Sequence, residues 1–506
     1  MKNTFLLLLL SFVLLVGCAE DDGNYTYSPL ETIEVANIER EQTKIFMRDR
    51  LQIRPEIKTS DPNADLEGTW SFDRGEVISK SIDLDTLIDW NPGDYSLLFS
   101  LKNKRTGYTV YYPVRLRVDT EFSTGWYVFK DNGEVADLDL YREGKMIPNV
   151  ISMVNGDGMK GKAEKISYFI RHKVFDPEAN SYAAKKMLFL ITDKDINGID
   201  ALTAYRWRKF EDVFFEAPKV RKPNFMVEGW MGVYMANDGK VYPLGISGAT
   251  SGKFLNKRNL DGDYDNYQVS KYACHEAMKR DILVFDTIRS SFYSATFLQD
   301  NLELIKDAPG SDMSCCSNNK RLLYMGQNKN YQSSYYYAVF QDKTDPAIKV
   351  MSKIKLMDSP FTPRTVTLKI FNDTLPVGSP AYNAVCYTVS HTEEVMYFAT
   401  EDGLYSKNVG GEGKGGVVNL EYSIPAGEKA TLVKSLFMQQ FGINYVVLAT
   451  VSNGSYKVRM FEKTTAGHLN PLPVLELPRS GERMEGRVGD VIYVDQHFTG
   501  SYIPGY

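Results

Sequence analysis

From Thr124 to the C-terminus one short pattern keeps returning: an apolar run, a polar turn, a second apolar run. Residues 126–129 precede Asp131-Asn132-Gly133, and residues 230–235 precede Asn237-Asp238-Gly239. Residues 395–400 precede Glu401-Asp402-Gly403, and residues 445–450 precede Asn453-Gly454. Runs at 188–191, 282–285, 335–340 and 491–494 repeat the texture, the first of them leading into Asp193 to Gly198 and the second into Asp286. An Asx-Gly pair takes up positive φ at little cost, which is what a tight hairpin between twisted strands requires. Strand, hairpin and strand, repeated without long helices, is the layout of propeller blades. At roughly 40–55 residues per blade, the about 380 residues of 124–506 suit a β-propeller of about seven or eight blades.

The stretch before it reads as a separate all-β unit over 31–119, with Asp119 to Ser123 between the two. Leu51, Ile53 and Ile57 alternate, as do Trp70 and Phe72; Pro92-Gly93-Asp94 reads as a turn. Leu97, Phe99 and Leu101 share one strand face. A hairpin loop over 102–107 leads to a return strand with Val110, Tyr112, Val114, Leu116 and Val118 on one side and Arg115 and Arg117 on the other. Short strands at this spacing predict an immunoglobulin-like sandwich. One helix is expected, over Asp200 to Phe215, where Leu202, Tyr205, Phe210, Val213 and Phe214 recur at helical steps before Pro218 and Pro223. It reads as an insertion between blades.

The N-terminus carries an address. Lys2 is followed by an apolar run over 5–16, too short to span a bilayer, and then by Gly17-Cys18. This resembles a bacterial lipobox: residues 1–17 would be a signal peptide, and Cys18 the lipidated first residue of a tether over 18–30. One acyl chain holds a protein marginally and several hold it stably. The run Glu20-Asp21-Asp22 resembles the surface-export signal of Bacteroidetes lipoproteins, although a solvated acidic linker would look alike. A formal net charge of -5 argues against nucleic acid, which needs a basic face. The 32 Tyr and 26 Phe favour strands over helices.

The lipobox, the Gly23-Asn24-Tyr25-Thr26-Tyr27 tether and the Trp70 and Gly93-Asp94-Tyr95 signals of the sandwich come in that order. Gly125-Trp126, the 210–218 stretch Phe-Glu-Asp-Val-Phe-Phe-Glu-Ala-Pro and the Asp238-Gly239-Lys240-Val241-Tyr242 hairpin follow. Together they resemble the PKD-like family of Bacteroidetes lipoproteins, found beside SusC/SusD-type (starch-utilisation-type) uptake pairs. The resemblance implies an outer-membrane protein, lipid-anchored and facing the cell exterior. Its partners would be such a transporter pair and neighbouring surface lipoproteins, its role ligand capture or docking, and its cargo an oligopeptide or a glycan. The competing class is a propeller hydrolase or lyase acting on the same polymer.

Candidate chemistry is sparse, and no cofactor is expected. Asp193, Asp195 and Asn197 before Gly198 place oxygens at alternate positions as a calcium loop does, but Ala204 stands where the last carboxylate belongs. A hairpin with Asn197-Gly198 at its tip explains the stretch equally. Asp261, Asp263 and Asp265 form a second such cluster without the glycine. Gly245 to Lys253 approaches a phosphate loop, with Ser247 and Phe254 in place of residues that loop needs. Beyond Cys18, the cysteines Cys274, Cys315, Cys316 and Cys386 read as buried small side chains. The alternative, a zinc site from Cys274, His275, Cys315 and Cys316, lacks paired Cys-x-x-Cys spacing. No nucleophile motif is present, and the five histidines stand singly. Aromatics are the one abundant resource. Tyr331, Tyr335, Tyr336 and Tyr337 are candidate ligand contacts, against the reading that alternate tyrosines are core.

Overall fold

The computed structural model describes residues 30–499 apart from 40–42, 48, 143, 178, 230–231, 246–249, 263, 276–280, 297–298, 331–332, 359–365, 480 and a few side chains. The chain is all-β and divides into two compact units, Met1–Asp119 and Thr120–Tyr506.

In the smaller unit, strands Gly93–Asn103 and Thr109–Asp119 form a long hairpin. Leu66–Phe72 and Val77–Ser79 extend it on one side, and Thr43–Phe46 joins the other in parallel. Two strand pairs, Ile33–Ala36 with Glu56–Thr59 and Arg50–Ile53 with Leu84–Leu87, complete the unit. The alternation predicted from sequence is what fills the core: Leu97, Phe99, Leu101, Val114, Leu116 and Val118 are all buried. Trp70 is fully enclosed, stacked on Phe99 at 4.6 Å, and its indole N–H donates to the Ile82 carbonyl at 3.0 Å. That bond lets a large polar-tipped ring be buried without an orphan donor. Gly93 and Asp94 already pair with Val118 and Arg117, so the bend is confined to Pro92.

Among the described residues, the larger unit contains seven sheets, none closed on itself. Sheets 2 to 7 are each made from consecutive strands and have as leading edge strands Ala163–Asp176, Pro223–Glu228, Val269–His275, Lys320–Asn330, Cys386–Val389 and Lys429–Met438; in sheet 5 the short strand Lys306–Asp307 comes earlier in the chain but pairs on the far edge. Sheet 1 differs. Its strands Thr124–Asp131, Val135–Arg142 and Lys145–Ile147 come from the start of the unit, but its leading strand, Arg487–Asp495, comes from the end. Gly125 lies opposite Val494 and Val128 opposite Val491. The leading strands pack one beside the next in order, and Arg487–Asp495 touches both Lys429–Met438 and Ala163–Asp176, so the sequence of contacts returns on itself. One apolar cluster accordingly joins Leu138 and Val491 of sheet 1, Leu190 of sheet 2 and Val447 of sheet 7.

The Asx-Gly turns sit where the pattern put them at two tips. Asp238 and Gly239 have φ of 48° and 68°, Asn453 and Gly454 of 49° and 74°, the left-handed pair a two-residue hairpin demands. Two expectations are corrected. The helix over Asp200 to Phe215 does not form: Asp200 ends a strand, and its carboxylate accepts the Leu202 N–H at 2.8 Å. Ala204 then takes φ of 57°, and Arg206–Arg208 pairs back onto Ile196–Asp200. Only Phe210–Val213 makes a helical turn. The helical spacing arose from apolar residues of a turn (Leu202), a connector (Tyr205) and one helical turn (Phe210 and Val213). The second correction concerns Asn197-Gly198, which lies inside a strand opposite Leu190 and Phe189; the hairpin tip is Asp193 to Asp195.

Candidate functional site

The ring of leading strands encloses a cavity of about 450 Å³ at the end where those strands begin. All seven contribute: Lys165, Asn224, Tyr272, Tyr324, Tyr387, Val433 and Asp490 each come from a different sheet. Strands can converge this closely only where side chains are small. A Cβ on Gly489 would stand 2.0 Å from the Ala163 carbonyl oxygen, so glycine at 489 is what lets the last strand seat against sheet 2.

The wall is basic. Lys165, Lys271, Arg321, Lys349 and Arg487 line it, against the carboxylates of Glu164 and Asp490. Both acids are engaged. Glu164 meets Lys271 at 3.1 Å. Asp490 accepts from Lys434 Nζ at 2.6 Å, from the Ile166 N–H at 2.8 Å and from the Val491 N–H at 2.8 Å, tying sheets 7, 1 and 2 together. Arg487 reaches Asp131 at 2.9 Å and the Ala163 carbonyl at 2.6 Å. Lys349 donates to the Tyr382 carbonyl at 2.8 Å and lies over that ring.

Burial sets the proton affinities. It drives the Lys165 amine well below the usual lysine range, Asp490 pulling the other way, and lowers Lys349 as well. Burial also opposes charge on Lys271, but Tyr272 and Glu164 outweigh it and the net shift is upward. The Cys386 thiol in the wall is pushed up to about 12 by burial, which keeps it protonated and a poor nucleophile.

The residues singled out from sequence lie elsewhere. Cys18, Glu20, Asp21, Asp22 and Tyr331 fall outside the described residues, as do Asp263 and residues 246–249 of the glycine-rich loop. Tyr335 is half-buried with Lys353 Nζ 4.0 Å from its ring centre. Tyr336 and Tyr337 are corrected to core residues: strand alternation sends them into two different apolar clusters, at 1% and 0% exposure. In the calcium-like stretch, Asp193 accepts the Lys162 N–H at 2.7 Å, Asp195 accepts its neighbour Ile196 N–H, and Asn197 is buried in a strand. These are hairpin contacts. Cys274 faces an apolar cluster that also holds Cys315, whereas His275, next along the strand, bonds the Glu228 carbonyl at 2.6 Å. Alternation thus divides the zinc candidates. Cys315 and Cys316 both direct Sγ to the Ile305 carbonyl.

The cavity cations were missed. Their sequence signal is faint: Lys165, Lys271, Arg321 and Arg487 each sit within the first three residues of a leading strand.

Comparison with known proteins bears on the N-terminal part. A model of the PKD-like family matches residues 18–163, which takes in the smaller unit and the first strands of sheet 1. The protein therefore has a PKD-like N-terminal domain. No curated protein matches the chain. Among solved structures it is similar to a quinonprotein alcohol dehydrogenase-like protein from Bacteroides thetaiotaomicron, at 13% identity and a TM-score of 0.41, over 93% of this chain and 100% of that one. It is also similar to PorZ, a surface component of the type-IX secretion system of Porphyromonas gingivalis, at 10% identity and a TM-score of 0.27, over 72% of this chain and 53% of that one. Likeness at these scores carries no argument about activity.

Proposed function

We propose that this chain is a surface lipoprotein whose seven-bladed β-propeller holds a ligand in its axial cavity on behalf of a SusC/SusD-type importer. Cys18 carries the lipid, Glu20 to Asp22 direct the protein to the cell exterior, and an oligopeptide or glycan is the cargo. The observation that carries the reading is the cavity itself, to which all seven leading strands contribute. Its size falls in the range of small-molecule pockets, roughly 300–1,000 Å³. Support for seven blades comes from the closed order of strand contacts and from a last strand that completes the first sheet.

Holding is favoured over turnover by the state of the lining groups. Glu164 and Asp490 are committed to lysines, and the Cys386 thiol stays protonated. An acid–base pair for glycoside or peptide cleavage needs carboxylates facing the scissile bond. Affinity isolation from native outer membranes tests the role. The transporter pair should co-purify, and the purified protein should bind the imported oligomer without cleaving it. Cleavage lost on changing Glu164 or Asp490 would establish the hydrolase or lyase instead.

A further inference from the structure

We propose that the axial cavity is a site for ligands bearing carboxylate groups, a uronate-containing oligosaccharide or an acidic oligopeptide. This rests on the capture reading above and adds the chemistry of what is captured.

The chain as a whole is net negative, yet even with Lys165 set aside, since burial opposes its charge, four basic side chains face two carboxylates in this cavity. Adding the groups bonded to them, Lys434 beside Asp490 and Asp131 beside Arg487, leaves the basic excess unchanged. A concave site lined by one sign of charge between low-dielectric walls focuses its field and concentrates counter-ions. Cations gathered against the sign of the whole protein therefore select an anion.

Their distribution says which kind. Lys271 comes from sheet 4, Arg321 and Lys349 from sheet 5, and Arg487 from sheet 1. A single dianionic phosphate is best held by donors converging from one loop or helix terminus. Cations spaced around a ring instead match single charges spaced along an oligomer. Between them the wall offers Tyr272, Leu323 and Val385, surface against which a sugar face or an aliphatic side chain can rest.

Isothermal titration of the full-length protein with four probes tests this: trigalacturonate, galactotriose, the peptide Glu-Glu-Glu and the peptide Gln-Gln-Gln. At least one carboxylate probe should bind, with its neutral counterpart about tenfold weaker or more, the worth of one charge-assisted bond. The acid that binds identifies the source. Arg321→Gln and Lys271→Gln should each weaken that binding by a similar factor. Lys194→Gln, which removes an exposed charge at a hairpin tip, should not. Neutral probes binding as well as acidic ones would overturn the carboxylate inference while leaving capture intact. Acid binding unaffected by Arg321→Gln and Lys271→Gln would overturn the site. No binding by any of the four would overturn the carboxylate inference, while capture is decided separately by the isolation from native membranes.

Discussion

Asp490 is the clip on which closure of the larger unit depends, and removing it should cost more than removing the lysine it holds. Its two oxygens accept from Lys434 Nζ, the Val491 N–H and the Ile166 N–H, and both members of the ion pair are almost wholly enclosed, at 0% and 4% side-chain exposure. Asp490→Ala leaves the Lys434 ammonium buried, strips two buried amides of their acceptor and removes the counter-charge near Lys165. Breaking a buried pair from one side costs about 3–5 kcal/mol. Lys434→Met leaves the carboxylate with both amide donors and should cost clearly less. Replacing both by apolar residues is often close to neutral, so Asp490→Leu with Lys434→Met should recover much of the loss. For a unit the size of Thr120–Tyr506, unfolding entropy scales to about 0.8 kcal/mol per degree, so Asp490→Ala should lower its Tm by about 4–6 °C. Differential scanning calorimetry of the full chain reads this directly. A Lys434→Met loss as large as that of Asp490→Ala, or a double variant no better than Asp490→Ala, would refute the reasoning.

Gly489→Val should prevent the last strand from seating, because its side chain would occupy the Ala163 carbonyl; limited proteolysis should then release the C-terminal segment, which stays protected in the wild type. His172, buried against Phe169 and Phe189, has its pKa lowered to about 3 chiefly by burial, so the unfolded chain takes up its proton first as pH falls below about 6.5. Its share of stability is present above that value and is lost at about 1.4 kcal/mol per pH unit down to about 3, so urea midpoints at pH 7 and pH 5 should differ less in His172→Leu than in the wild type. Cys18→Ala should yield a soluble or unprocessed protein. Neutralising Glu20, Asp21 and Asp22 should leave it lipidated but protected from protease added to whole cells.

Local chemistry carried much of the fold in plain view. Leu97, Phe99 and Leu101 could be placed in a core because period-two alternation has one physical cause, a pleated strand with one buried face. The Asp238-Gly239 and Asn453-Gly454 tips were legible because so few residue pairs tolerate φ of 48–74° at both positions. Failure came where one pattern had two causes. The apolar residues of 200–215 mimic a helix, but a turn anchored by Asp200 and a left-handed Ala204 distribute them over that turn, the connector before a short strand and one helical turn. The same ambiguity affects the Tyr335 to Tyr337 run. Consecutive tyrosines signal contact chemistry or opposite faces of a buried strand, and packing on both sides of sheet 5 makes it the second.

The cavity was hidden for a different reason. Its lining is assembled from short contributions by seven sheets, and closure depends on residues 487–495 pairing with residues 124–131 across the whole unit. No local signal announces a contact of that span, since the side chains concerned are ordinary strand residues until the ring exists. A lysine early in an apolar strand reads as a solvated edge, which for one strand in isolation is the correct physical reading. Four such residues at the starts of leading strands acquire another meaning only once those starts are known to line a common cavity. Burial then reverses the expected energetics: charges that would be screened at a surface are brought into a confined, partly desolvated space. Their mutual repulsion is relieved there by Glu164, by Asp490 and, on the present proposal, by the ligand. Binding and stability are then linked. A carboxylate probe that occupies the cavity should raise the melting temperature of the larger unit, while its neutral counterpart should not.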